Sequence, residues 1–325
     1  MAERSSTDTY SDPMTAPDVV LSGLRISTAG MAETKLAIET WVASSQRPPA
    51  QIATVNLDFL ALGERNPTFK TVLHKSALVL ADGMGVVWLS KLAGCPIPER
   101  VAGADLVTWL VDGGIQDARL FLLGSTPETI DRIQARAARA GGNIVGSATP
   151  LRGVFESDLQ SARIVDKINR SGANILLLAL GPPLQEIWIE RWLRRLEVEV
   201  AIGVGASLDF AAGTRPRAPE AWQRLGVEWL YRLLREPRRL WKRYIRRDIP
   251  FFVSEGWRSM VARRTLASGA APQAVFPISP ASGERDDLSV EADGQDGSRL
   301  AGSNDPSLTI DLSERSNVRA SAETH

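Results

Sequence analysis

Apolar residues gather in six short runs, at 52–56, 77–81, 119–123, 143–147, 175–180 and 200–204. Each is nearly continuous, as a strand buried on both faces requires, and each is too short for a helix. Between them, apolar positions recur at helical spacing over 57–75, 85–92, 104–113, 128–140, 158–170 and 185–195. Strands alternating with helices predict an α/β fold, a largely parallel sheet with helices on both faces. No segment repeats at a fixed period.

Past residue 213 the pattern becomes helical, tryptophan-rich and basic. Trp222, Leu225, Trp229, Leu230, Leu233 and Leu234 recur at helix spacing, and after a break at Pro237 so do Leu240, Trp241, Tyr244 and Ile245. Formal charge over the 325 residues is zero, but it is unevenly spread. From Arg232 to Arg247 eight basic residues face the single acid Glu236, a net of +7, whereas from Thr265 onward ten acids face four bases, a net of −6. The expected organisation is a disordered start (1–17), an α/β core (18–213), a basic helical appendage (214–264) and a disordered acidic tail (265–325). Three readings of the basic block stand open: a solvated face, a nucleic-acid surface, or a face that lies on anionic lipid.

Histidine and cysteine are nearly missing. Cys95 stands alone, and the two histidines are His74, in a helical stretch, and the terminal His325. That excludes a disulfide framework, a Cys- or His-based metal site and a Ser-His-Asp triad, so an enzymatic base here is a carboxylate. The opening residues do not resemble a secretory signal, and no apolar run reaches membrane-spanning length. The expected location is therefore cytoplasmic.

In parallel sheets ligands bind beyond the carboxyl ends of the strands, so the residues that follow each strand carry the chemistry. Here they are Asn56, Asp82-Gly83, Gly124-Ser125, Gly181-Pro182-Pro183, and Gly205-Ala206 leading to Asp209. Asp82 reads either as a common Asp-Gly turn or as an acid or base at the lip of a buried strand. Its glycines Gly83 and Gly85 read as room for something to approach the backbone. Ser125 and Glu128 have capping-box spacing with Pro127 in the first turn, and Gln185 and Glu186 open the next helix. Exposed N–H groups at either start would suit a phosphate. Neither is a dinucleotide fingerprint nor a Walker loop.

Taken together, TVN (54–56), ADGMGVVW (81–88), RVAGADL (100–106), LLGS (122–125), LGPPLQEIWI (180–189), GVGASLDFAAGTRPRAP (203–219) and EWLYRLLREPRRLWKRY (228–244) resemble the WecG/TagA/CpsF family of bacterial glycosyltransferases. The resemblance implies a Rossmann-like core with a C-terminal helical appendage. It also implies inverting transfer from a UDP-sugar to a sugar on a polyprenyl diphosphate, in cell-surface polysaccharide synthesis at the inner face of the cytoplasmic membrane.

By the same resemblance Asp82 is the general base, with Thr54 and Asn56 flanking it. Arg100, Gly124, Gly181, Gln185, Glu186, Gly205 and Asp209 line the substrate pocket, and Arg232 and Arg239 reach over the diphosphate or lipid acceptor. Trp241, Lys242, Arg243, Arg246 and Arg247 become membrane contacts. No Asp-x-Asp motif lies in the core, so neither metal nor other cofactor is expected. Where the family often has lysine before Gln185, this chain has Pro183-Leu184. No nucleic-acid partner is expected, and a homo-oligomer is compatible with the sequence. The rival readings are a nucleic-acid binder using the 222–247 segment and another nucleotide-dependent enzyme on the same fold.

Overall fold

The structure, a computed structural model, describes residues 18–44 and 48–267. The disorder expected for 1–17, and for the tail beyond 267, lies outside the described residues. The chain opens with a hairpin that the apolar pattern did not single out. Strands β1 (Asp18–Leu21) and β2 (Leu24–Ser27) pair antiparallel, turning at Ser22 and Gly23 with φ of 51° and 69°. Helix α1 (Met31–Ser44) follows and leads to the main sheet.

All six apolar runs become strands: β3 (Ala50–Val55), β4 (Leu78–Ala81), β5 (Leu120–Gly124), β6 (Ile144–Ala148), β7 (Ile175–Ala179) and β8 (Val200–Gly203). They form one parallel sheet in the order β4-β3-β8-β7-β5-β6. All six carboxyl ends therefore lie along one edge.

Alternation within the strands sorts the core. Ile52, Leu80, Leu122, Leu177 and Ile202 face one layer with α1, α5 (Gly103–Val111), α6 (Pro127–Ala140) and α9 (Ser207–Ala211). Opposite them, Val55 and Ala81 pack with the hairpin, α2 (Leu57–Arg65), α3 (Pro67–Lys75) and α4 (Met84–Ala93). On that same side Phe121, Leu123, Leu176 and Ala201 pack with α7 (Asp158–Arg170) and α8 (Leu184–Trp192).

The single helix expected over 57–75 is two. Asn66 accepts the Phe69 N–H as an N-cap, and Pro67 fills the first helical position, so the sequence restarts the helix there. The appendage is likewise broken. It comprises α10 (Glu220–Arg224), α11 (Glu228–Arg235), α12 (Pro237–Arg243), a π turn (Tyr244–Asp248) and α13 (Ile249–Ala267). Gly226, with φ of 75°, separates the first two. Helix α13 runs three residues into the segment expected to be disordered from 265.

Candidate active site

Asp82 follows the last residue of β4 at the carboxyl edge of the sheet. Its backbone N–H donates to Val55 O at 2.9 Å, and its Oδ1 accepts the Gly103 N–H at the start of α5 at 2.8 Å. No described residue donates to Oδ2. The side chain is half-buried. Desolvation raises its pKa above the ordinary aspartate value, while the Gly103 N–H and the nearby Arg232 and Arg100 oppose that rise.

The glycines after Asp82 serve packing. A Cβ at Gly83 would press on Asn56, and one at Gly85 would overlap Leu57, so α4 can lie against the start of α2 only without side chains there. What approaches this backbone is the protein's own helix. Asn56 caps α2, its Oδ1 accepting the Asp58 and Phe59 N–H groups at 3.0 and 3.4 Å. Thr54 is buried and donates its hydroxyl to Gly203 O at 3.2 Å, linking β3 to β8. Both stand beside Asp82, and both commit side-chain atoms to holding the edge in shape.

The expected pocket residues divide in the same way. Gln185 is 1% exposed, and its Oε1 accepts the N–H groups of Gly181 at 2.9 Å and Gly205 at 3.1 Å. Its Nε2 donates to Glu186 Oε1 at 2.6 Å, and Glu186 has no exposed surface. Neither side chain lines an open pocket, and the Gly181 N–H expected to be available for phosphate is taken. Asp209 Oδ1 accepts from the hydroxyls of Ser125 (2.8 Å) and Thr129 (3.2 Å), while Oδ2 pairs with Arg215 at 3.2 Å. The expected capping box at Ser125 is not formed. Ser125 sits at φ 60°, Thr126 caps α6, and Glu128 pairs with Arg132. Gly124, at φ 96°, comes so close to Ala179 O that a side chain would not fit.

Arg232 reaches the site from α11. Its guanidinium lies 4.4 Å from the centroid of the Phe210 ring and bonds Glu228 Oε1 at 2.5 Å. The other Glu228 oxygen receives Arg100 at 3.1 Å. Burial pushes the Glu228 carboxyl up, but Arg232 and Arg100 together hold it below its usual value. Arg239 belongs to α12, and its side chain lies outside the described residues.

The expected membrane contacts split into two groups. Trp241, Lys242 and Arg246 are exposed, whereas Arg243 and Arg247 turn inward to Asp58 on α2 and to Asp248. These two arginines fasten the appendage to the core. Leu240 and Tyr244 are buried in the same way, so the second apolar stripe belongs partly to the core and partly to the surface.

Comparison with known proteins completes the picture. Residues 19–265 match the model of the glycosyl transferase WecG/TagA/CpsF family, which spans more than half of the chain. The chain belongs to this family. It is similar to a Bacillus spizizenii protein named N-acetylglucosaminyldiphosphoundecaprenol N-acetyl-β-D-mannosaminyltransferase, with 35% identity over 211 residues, 64% of this chain and 79% of that one.

In this glycosyltransferase two further charged residues are linked to the groups around Asp82. Glu228 joins Arg100 of the core to Arg232 of the appendage. Arg217 forms a bidentate pair with Asp105 in the first turn of α5, and the negative charges of Glu228 and Asp82 also help to hold its guanidinium protonated. Neither was singled out from the sequence, although both fall within blocks that carry the family resemblance. Arg217 meets Asp105 across 112 residues of chain, which no local spacing marks, whereas the spacing of Glu228 and Arg232, four apart on one helix, could have drawn attention to Glu228.

Proposed function

We propose that this enzyme transfers a sugar, with inversion, from a UDP-linked donor to an N-acetylglucosamine carried on a polyprenyl diphosphate. The product would feed a cell-surface polysaccharide. The observation that carries this reading is Asp82, a carboxylate with one oxygen held by Gly103 and the other open to a cleft bordered by Arg100 and Arg232. The acceptor hydroxyl gives its proton to Asp82 as its oxygen bonds to the anomeric carbon. The bond from that carbon to the donor diphosphate breaks, and the leaving oxygen keeps the electron pair. Arg100 and Arg232 lie where they can take up that charge. Glu228, which they bind in the free enzyme, gives way as their partner when a diphosphate enters. The named substrates of the Bacillus relative make N-acetylmannosamine the first donor sugar to test.

The reading extends to the membrane. No helix among the described residues is long and apolar enough to cross one. On the appendage, however, every fourth residue from Trp241 through Ile245, Ile249, Val253 and Trp257 to Val261 is apolar and exposed. The exposed bases Lys242 and Arg246 stand beside that stripe. An apolar stripe flanked by basic residues suits an anionic lipid surface better than nucleic acid, where aromatic and basic groups would meet bases and phosphates. The cytoplasmic leaflet, which carries the lipid-linked acceptor, is the proposed surface.

The test is release of UDP from a panel of UDP-sugars in the presence of a polyprenyl-diphosphate-linked acceptor. Wild type is expected to release UDP from one donor only when the acceptor is present, and to continue in excess EDTA. Asp82→Asn is expected to lower kcat about a thousandfold. Undiminished turnover in Asp82→Asn would remove Asp82 as the base, and loss of activity in EDTA would show that a cation assists the arginines.

A further inference from the structure

The two residues at the start of α8, Gln185 and Glu186, are buried beneath the loops that follow β7 and β8. Gln185 presents one oxygen to two backbone N–H groups, Gly181 in the loop after β7 and Gly205 in the loop after β8. An amide can place its oxygen there in only one of its two orientations, because the flipped amide would set N–H against N–H. What fixes the orientation is Glu186, whose Oε1 takes the Gln185 Nε2–H at 2.6 Å. Glu186 is held in turn by burial and by the backbone of its own helix, where Gln51 from β3 donates to Glu186 O at 3.1 Å. Gly203 lies directly over the pair, and a Cβ there would come within 2.6 Å of both Gln185 Nε2 and Glu186 Oε1.

We propose that Glu186 and Gln185 act as a positioning pair, in which the carboxyl sets the amide and the amide sets the spacing of the two glycine loops that receive the donor. The proposal rests on the function inferred above and assigns the pair no contact with substrate. Each loop carries a glycine at positive φ, Gly181 at 79° and Gly205 at 49°. Loops built on such residues have little stiffness of their own. A buried anchor across them supplies it at the edge where phosphates bind. The Oε2 of Glu186 has no hydrogen-bond partner among the described residues. A carboxyl kept in so unfavourable a place has a use other than stability.

The test exchanges the pair. Glu186→Leu and Gln185→Leu each remove the anchor and are expected to raise the KM for the donor at least tenfold, with a smaller change in kcat. In the double variant Gln185→Glu/Glu186→Gln, the carboxylate at 185 accepts both glycine N–H groups and the amide at 186 donates to it. All three hydrogen bonds are retained with their chemistry exchanged.

The double variant is expected to return donor KM to within about threefold of wild type. A readout independent of activity accompanies it. Exchange of the Gly181 and Gly205 amide hydrogens is expected to be slow in wild type, at least tenfold faster in the leucine variants, and slow again in the double variant. Recovered protection with no transferase activity in any form, wild type included, would overturn the proposed function and leave the anchor standing. Unchanged kinetics and exchange in the leucine variants would overturn the anchor. So would a double variant that recovers amide protection and stays inactive beside an active wild type, because the Gln185 amide would then be touching substrate itself.

Discussion

Burial without a cationic partner holds the Glu186 carboxyl at a pKa of about 7, against 4.5 for an ordinary glutamate, and desolvation is the main cause. Between about pH 4.5 and 7 the native chain holds a proton there that the unfolded chain has lost, so stability falls as pH rises through that window and is level above it. The loss is on the order of 3 kcal/mol. Glu186→Gln removes the titration. Its melting temperature relative to wild type is therefore expected to rise between pH 5 and pH 8, and a constant difference would contradict the assignment. Asp82 is raised by the same cause but remains partly open. The acid limb of kcat/KM is accordingly expected above the ordinary aspartate range, and a pH-rate profile checks it. Of these two carboxyls, the position of Asp82 after a buried strand made it readable in the sequence. The state of Glu186 was not readable, because burial depends on how α8 meets β8.

Among elements, the docking of α12 and the π turn against α2 rests on four charges. Arg247 binds Asp58 Oδ1, Arg243 lies 3.3 Å from Asp58 Oδ2 and 3.2 Å from Asp248, and both acids are buried. Burial raises Asp248 to about 6 in spite of the arginines. Removing Asp58 leaves two guanidinium groups short of a partner in a half-buried seam, at a cost of about 2 kcal/mol after allowance for their remaining exposure. Asp58→Asn is expected to speed trypsin cleavage at Arg243 and Arg247 by about tenfold or more, with cleavage at exposed core arginines as the control. Equal rates would show that the seam is held by Leu240, Tyr244 and the phenylalanines of α13 instead. The six parallel strands were readable because strands buried on both faces leave unbroken apolar runs. The β1–β2 hairpin was not, since exposed Asp18, Val20 and Arg25 interrupt its buried positions and leave no such run. The split of 57–75 was signalled by Asn66-Pro67, a cap followed by a first-position proline. Helical periodicity on either side of that pair outweighed it in the sequence reading.

At the level of the whole molecule the appendage faces two ways, and the inward half defines what the outward half can do. Arg232, Arg243 and Arg247 spend their charge on Glu228, Asp58 and Asp248. The strong basic character of 232–247 therefore shrinks at the surface to fewer bases than the sequence displays, Lys242 and Arg246 among them. The apolar stripe grows by contrast, because Ile249, Val253, Trp257 and Val261 on α13 extend it well past the basic block.

The proposed membrane contact should then depend more on apolar burial than on charge. Each basic side chain near an anionic surface contributes about 1 kcal/mol and is screened by salt, whereas burial of an indole contributes about 2 kcal/mol or more and persists. With vesicles of phosphatidylglycerol and phosphatidylethanolamine, Lys242→Gln/Arg246→Gln is expected to weaken binding at low salt about thirtyfold and hardly at all at high salt. Trp241→Ser/Trp257→Ser is expected to weaken it at both. Activity on a short-chain acceptor presented in water should survive the tryptophan changes, because the cleft at Asp82 is built from the strand ends, α5 and α11. If wild type fails to bind vesicles, or if the tryptophan variant binds as well as wild type, the stripe serves another purpose and the enzyme would reach the proposed lipid-linked acceptor without it.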